Sequence, residues 1–400
     1  MKIVCFIDNL GAGGAQRQLT TLGVFFRKAG HSVSFITYHE DMFFRPMLDA
    51  NGVGVERLRA RSRLGRPVAL RKRLLCEAPD AVLAFLEGPC LYAELAGLPK
   101  RPWGLVVSER LEMNGNGKAP NWKRGFHRLA DCITTNSHAN RRALAQVLGK
   151  SAARIATIYN CLDLESFKPA GSARRHGSGP IRLVVAASYQ PRKNTLGLIR
   201  AVAMALSQHP TLKLQIDWYG GFPLLRQGSE DRRYFEECQE LIRGLGLARS
   251  FHLHEKDKAI ISRYQEADAV ALPSLAEGLP NAVCEGMACG LPVLASRIGD
   301  ADILVDQGVN GFLFEPQHPE DMARALLDFC GLSREARLAM GVESRRKAEV
   351  LFSPEHAVNA YQRLLEAAAT GREVPVRHWP AEPGLVDSVQ CACSGQGCKG

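Results

Sequence analysis

The segment Glu277 to Glu285 (EGLPNAVCE) sets two carboxylates on either side of a helix start. Pro280 suits the first turn of a helix and Asn281 suits its cap. The short helix expected over 282–289 presents free backbone N–H groups and the positive end of its dipole, a ready seat for a phosphate. Glu285 falls roughly one turn into that helix, where its carboxylate can accept two neighbouring hydroxyls. Glu277 stays in the loop, free to reach a second set. Acids on both sides of an anion seat fit a ligand with sugar hydroxyls around a phosphate core. A bare Glu-x7-Glu spacing more often marks a solvated loop acid and a helix-face acid. Gly278, Leu279, Pro280 and Asn281 between the acids, and GMACGLPVLAS after them, favour the ligand reading.

A diphosphate also needs positive charge. The stretch Ala186 to Asn194 (AASYQPRKN) follows an apolar run and carries Arg192 and Lys193. A cation at a helix start is opposed by the dipole, so Lys193 there points to a ligand rather than to solvent. The Arg192 guanidinium suits bidentate phosphate contact. Gly13 and Gly14, in GAGGAQR, let the backbone approach a diphosphate or an acceptor closely. The dinucleotide pattern G-x-G-x-x-G is not completed, because Gln16 stands at its third glycine. Glu109 and Arg110 end another strand-like run. Glu109 could orient an acceptor hydroxyl and Arg110 meet a phosphate, or the two could be an ordinary strand-end pair. Asp300 and Asp302 form a D-x-D pattern, read as the acidic first turn of a helix, and no metal is expected.

The elements that must position these loops alternate along the chain. Strand-like apolar runs and helix-like periodic segments follow one another, the pattern of parallel sheets covered by helices. Residues 1–168 read as one doubly wound, Rossmann-like domain. Residues 169–180, rich in Gly, Ser and basic residues, read as a linker. Six further strands make a second such domain over 181–352. A closing helix over 353–369 is expected to return to the first domain, and 370–400 to be poorly ordered. Ligands in open α/β sheets bind outside the carboxyl ends of the strands, where all the candidate loops fall.

The chain has 400 residues, 46% hydrophobic and 23% charged, which suits two soluble domains rather than disorder. No run is long and apolar enough to span a membrane, and the N-terminal apolar run ends at Asp8, so a cytoplasmic protein is expected. The 12 cysteines fit neither a disulfide framework nor a zinc motif. The net charge of +10 calls for an anionic partner. No nucleic-acid recognition motif is visible. A basic window from Arg57 to Arg73, and a basic-aromatic stretch from Trp122 to Arg128, suit contact with an anionic membrane from its inner face.

Together these motifs resemble the donor-site signature of family-four retaining glycosyltransferases of the GT-B fold, E-G-x-P-N-x4-E-A-M-A-x-G-x-P-V. The match holds at Glu277, Gly278, Pro280, Asn281, Glu285, Met287, Ala288, Gly290, Pro292 and Val293, with Gly286 in place of Ala. Gly11 to Arg17 resembles the family's G-G-A-x-R loop, Tyr159 to Asp163 its domain-junction motif, and Gly308 to Phe314 its G-x-N-G-x-L stretch. The resemblance implies an α/β protein of two doubly wound domains facing a central cleft. It implies that Glu285 binds ribose hydroxyls, that Glu277 holds the transferred sugar, and that amides from Gly278 to Asn281 meet the sugar and diphosphate. Lys193 matches the family Lys, while Ala187 and Ser188 replace the usual Gly and Arg. Ser108, Glu109 and Arg110 resemble a subgroup that acts on polyprenyl-diphosphate-linked or other lipid-linked acceptors. The implied activity is hexosyl transfer from a nucleotide-sugar donor to a saccharide acceptor, with retention and without a metal or other cofactor. Two alternatives stay open: a nucleotide-sugar epimerase of the same fold, and a non-catalytic, degenerate transferase that scaffolds other enzymes.

Overall fold

The structure, a computed structural model, describes residues 1–110, 122–171, 179–221, 230–372 and 378–380. The first sheet contains β1 (Lys2–Phe6), β2 (Ser32–Thr37), β3 (Gly54–Arg57), β4 (Ala81–Phe85), β5 (Gly104–Glu109), β6 (Cys132–Thr135) and β7 (Ile155–Thr157). Its order is β3-β2-β1-β4-β5-β6-β7, with every pair parallel. The second contains β8 (Ile181–Ala186), β9 (Leu214–Tyr219), β10 (Phe251–His254), β11 (Ala269–Leu272), β12 (Val293–Ser296) and β13 (Gly311–Phe314). Its order, β10-β9-β8-β11-β12-β13, is also parallel throughout. Both are doubly wound sheets, so strand order reverses at β1/β4 in the first and at β8/β11 in the second. The loops after β1, β8 and β11 therefore open at the switch points, where ligands bind in this architecture.

The buried strands are apolar because helices cover both faces. Every residue of β4 and of β11 is buried. β3 escaped the pattern reading for the same reason: it is an edge strand with three exposed residues and no apolar run. The helix Pro354–Thr370 returns to the first sheet, where Tyr361, Leu364, Leu365 and Ala368 join the core of Ile3, Leu83, Phe85 and Val106. Full burial of each leucine contributes about 1.5–3 kcal/mol.

The segment after Thr370 departs in part from the expected poor order. Trp379 bridges to Ile158 beside the edge strand β7. Its N–H donates to the Thr157 carbonyl at 2.7 Å, and its own carbonyl accepts from Tyr159 N at 3.0 Å. An unpaired sheet edge is a template for such an addition. Residues 381–400, with Cys391, Cys393 and Cys398, lie outside the described residues, as do 172–178 of the linker. The nine described cysteines are free thiols.

Gly286 replaces the family alanine for a steric reason. A Cβ there would stand 2.6 Å from Val270 Cβ and 2.5 Å from its Cγ1, atoms fixed close to the β11 backbone. Gly286→Ala is expected to destabilise the protein by about 1–3 kcal/mol through overpacking. Urea unfolding checks this, and Gly286→Ala combined with Val270→Ala should recover part of the loss.

Candidate active site

A cleft of about 920 Å³ runs between the two domains and is lined from both. The first domain contributes Gly13, Gly14, Arg17, Arg110 and Asn160. The second contributes Ser188, Arg192, Lys193, Tyr219, Lys256 and the run Glu277 to Ala282, with Glu285 behind it.

The helix after Glu277 spans Asn281–Ala288, with Pro280 at the N-cap position. Asn281 does not cap it. Its side-chain carbonyl instead accepts from Asn160 Nδ2 at 2.6 Å, which ties the helix start to the first domain. The first two helical residues, Asn281 and Ala282, line the cleft, and among the described residues no side chain caps their end of the helix. Gly14 packs against the same residue: a Cβ on it would lie 2.6 Å from Asn281 Nδ2. Only a residue without a Cβ lets the first domain approach the Asn281 side chain this closely.

Both signature carboxylates are held by cations. Lys193 Nζ donates to Glu277 Oε1, which also accepts from Ser274 Oγ at 2.7 Å. Glu285 is buried; its Oε1 accepts from Arg17 of the other domain and its Oε2 from Tyr264 OH at 3.0 Å. Lys193 sits in a single 3-10 turn, Pro191–Lys193, just before the helix Thr195–Gln208. Glu277 answers the unfavourable dipole at that position. Arg192 is exposed at the cleft, its Nε donating to Gln190 Oε1 at 3.1 Å.

Sequence reasoning assigned no role to Arg17, Lys256, Tyr219 or Asn160. Lys256 Nζ crosses the cleft to donate to the Ala12 carbonyl at 2.6 Å. Burial first, then repulsion from Arg17, holds its pKa below the ordinary lysine value. Arg17 and Lys256 add positive charge to the cleft wall that also holds Ser188. Lys256 stands two residues past the end of β10, within reach of the strand-end rule, and Arg17 closed a motif already noticed for its glycines.

Glu109 and Arg110 separate. Arg110 lines the cleft, but its guanidinium is occupied by Ser108 Oγ at 2.8 Å, Asn160 Oδ1 and Tyr361 OH, and it stacks on Phe85. Glu109 is fully buried and is not among the cleft-lining residues. It takes a hydrogen bond from Arg124 at 3.1 Å and faces His127 at 3.8 Å. His127 in turn binds Glu94 at 2.6 Å. Successive β5 residues point to opposite faces, which sends Glu109 away from the side of Ser108, where Arg110 just past the strand meets the Ser108 hydroxyl.

Burial would lower the His127 pKa, but the charges of Glu109 and Glu94, and the hydrogen bond to Glu94, outweigh it and raise it to about 9 from an ordinary 6.5. A folded-state pKa above the unfolded one gives stability that is full below pH 6.5 and is lost as pH rises through about 9. Unfolding free energy is expected to fall by on the order of 2 kcal/mol across that window. Denaturation series at several pH values check it, with His127→Gln expected to flatten the profile.

Asp300 is not a first-turn ornament. It is buried and reaches into the other domain, accepting from His138 N at 2.7 Å, Ala139 N at 2.9 Å and Tyr159 OH at 2.6 Å. It therefore satisfies the start of the helix His138–Leu148 across the domain junction. Asp302 pairs with Arg297 at the surface.

The two basic stretches differ. In the Trp122–Leu129 3-10 helix, Lys123 pairs with Glu87, Arg124 with Glu109 and His127 with Glu94. Those charges are used internally. In the Arg57 to Arg73 window, Arg57 pairs with Glu40, Arg73 with Glu56 and Arg66 lies over Tyr38. Arg59, Arg61, Arg63 and Lys72 remain exposed, beside exposed Leu64, Val68 and Leu75. No helix among the described residues is long and apolar enough to cross a membrane.

Comparison with known proteins agrees with this geometry. Two family models divide the chain. Residues 12–166 match Glycosyltransferase Family 4, and residues 180–331 match Glycosyl transferases group 1. A D-inositol 3-phosphate glycosyltransferase of Corynebacterium jeikeium is 29% identical over 247 residues, 59% of this chain and 57% of that protein. The Rhodococcus erythropolis protein of the same name is 30% identical over 248 residues, 60% of this chain and 54% of its own. The chain thus spans about half the length of the curated relatives it matches. Among solved structures, Anabaena HepE in complex with UDP and glucose superposes with a TM-score of 0.78 at 22% identity, covering 92% of this chain and 100% of that one. The same protein in complex with UDP-glucose gives 0.77. These structural likenesses show the fold. With each domain matched by its own family model, and both built on the GT-B plan, the chain belongs to the group 1 and family 4 glycosyltransferases.

Proposed function

We propose that the protein transfers a hexosyl group from a nucleotide-diphosphate sugar to a saccharide acceptor, with retention of configuration. The observation that carries this reading is the pairing of cleft carboxylates with cleft cations: Lys193 on Glu277 and Arg17 on Glu285, around a helix start. Glu277 and Glu285 are hydroxyl acceptors for the sugar and the ribose. Lys193, Arg192, Arg17 and Lys256 are charges for the diphosphate. Departure of that group leaves oxocarbenium-like charge on the sugar and negative charge on the nucleotide. Preorganised positive potential is the most effective response to it. Four basic side chains at the cleft make a metal unnecessary for that purpose. Same-face attack, without a covalent enzyme intermediate, is the route we favour, on the family resemblance. The two lobes keep water from the donor when they close.

UDP-hexoses are the first donors to try, because the Anabaena HepE neighbour was solved with UDP-glucose. We take the acceptor to be lipid-linked and the site of action to be the cytoplasmic face of an anionic membrane. The exposed Arg59, Arg61, Arg63 and Lys72, interleaved with Leu64, Val68 and Leu75, support that. Glu109 no longer contributes to the acceptor reading, since it lies outside the cleft lining.

Purified protein incubated with labelled nucleotide sugars and a membrane extract is expected to yield labelled saccharide-lipid that depends on Glu277. Epimerised donor formed without any acceptor would support the epimerase instead. Donor binding with no turnover in any extract would support the scaffold, the reading that Ala187 and Ser188 favour.

A further inference from the structure

Strands β9 and β10 break the rule for a parallel sheet. Such sheets carry helices on both faces and read as continuous apolar runs. β9 alternates instead: Leu214, Ile216 and Trp218 are buried, while Gln215, Asp217 and Tyr219 are half-buried on the other face. β10 is the sheet edge. Its His252 and His254, two residues apart, share one face. The register sets His252 opposite Asp217 and His254 opposite Tyr219. The outcome is a polar stripe where valine and isoleucine belong.

Three ligand-type atoms converge in that stripe. Asp217 Oδ1 lies 3.3 Å from His252 Nδ1 and 2.8 Å from His254 Nε2. All three atoms lie within 4.8 Å of one another. The second carboxylate oxygen, Oδ2, accepts from Gln215 Nε2 at 2.8 Å. Here both imidazoles meet the same oxygen, and a neutral amide holds the other, as an outer hydrogen bond holds a ligating carboxylate. Zinc takes imidazole nitrogen and carboxylate oxygen at about 2.0–2.2 Å in tetrahedral geometry, which sets its ligand atoms roughly 3.3 Å apart. The Asp217–His252 separation already has that value, and His254 would move outward from 2.8 Å to reach it. The His252 and His254 side chains are 33% and 39% exposed, so the fourth position faces water.

We propose that Asp217, His252 and His254 form a binding site for one divalent transition-metal ion of zinc type. The ion clips the edge strand β10 to β9. Binding uses the lone pairs of the two nitrogens that now face Oδ1, so their protons move to the far ring nitrogens. The site is separate from the transfer chemistry, since none of its three residues lines the cleft. It touches the cleft through one ring: His254 lies flat against Tyr219, centroids 4.6 Å apart at 15°, and Tyr219 is part of the cleft wall. Fixing the His254 ring therefore fixes one wall of the cleft.

Titration of the full chain with Co²⁺ alone, followed by visible absorption, tests the site. One equivalent is expected to bind with the d–d bands of a four- or five-coordinate nitrogen/oxygen site, and Zn²⁺ should displace it. His252→Ala and Asp217→Asn are each expected to weaken binding by at least about tenfold. Zn²⁺ should raise the melting temperature of the wild type and not of the variants. No binding, or binding unchanged in both variants, would overturn the proposal. So would a spectrum made only of thiolate-to-cobalt charge transfer, which would assign the metal to cysteines. Should His252→Ala fail to fold by circular dichroism, the near-isosteric Asp217→Asn carries the test by itself.

Discussion

Lys193→Ala is expected to lower kcat by on the order of 10²–10³-fold while shifting the donor Kd by less than about tenfold. The reason is where the charge appears. A bound nucleotide sugar already carries its diphosphate charge, spread over the non-bridging oxygens. As the glycosidic bond breaks, that charge grows on the leaving oxygen, and only a fixed cation near it gains. Lys193 is such a cation: its side chain is 13% exposed and its Nζ is anchored on Glu277. Arg192 is exposed and, among the described residues, its side chain is held by Gln190, so it can adapt to the ground state but is less preorganised. Steady-state kinetics and calorimetric donor binding on the same variant check the split. Equal losses in kcat and affinity would mean that Lys193 holds the ground state alone.

Glu285→Ala carries the second large effect, and it should fall on binding. Donor Kd is expected to rise about 10- to 100-fold, the cost of about one hydrogen bond to a charged group, with saturated turnover changed far less. Glu285 is buried and its two oxygens are oriented by Arg17 and Tyr264. Ribose hydroxyls would share or replace the Arg17 contact, which makes the residue a measure of donor affinity rather than of the transfer step. Glu285→Gln keeps a partner for Tyr264 but loses the pairing with Arg17, and should fall between the wild type and Glu285→Ala. Titration of the three proteins with one nucleotide sugar gives the order. A variant series that alters kcat and leaves Kd alone would remove Glu285 from the ribose role.

The doubly wound architecture was legible because strands buried on both faces leave apolar runs, as in β4 and β11, and strand ends mark where loops can bind. The donor signature was legible because glycine, proline and paired acids at that spacing have few other uses together. Elements without a hydrophobic signal were hidden. The edge strand β3 has no apolar run, and Trp379 pairs with the β7 edge from within a stretch of tail-like composition. Contacts across the cleft were hidden for a different reason. Arg17 meets Glu285 from 268 positions away, and Asp300 meets His138 from 162. No local pattern can express such a pairing; only the assembled domains bring the residues together. Glu109 shows the converse. Its neighbour Arg110 reaches the cleft, and the alternation of a strand carries Glu109 to the opposite side, into the company of His127 and Arg124.

The central claim is that the interdomain cleft lined by Glu277 and Lys193 is a nucleotide-sugar site. Calorimetric titration of the purified full chain with UDP-, GDP- and ADP-hexoses, in parallel with Glu277→Ala, tests it most directly. One of the three donors is expected to bind the wild type with a Kd in the micromolar to low-millimolar range usual for enzyme substrates, and to bind Glu277→Ala with turnover abolished or affinity clearly reduced. Binding of none of the three, or binding and turnover unchanged when Glu277 is replaced, would contradict the account.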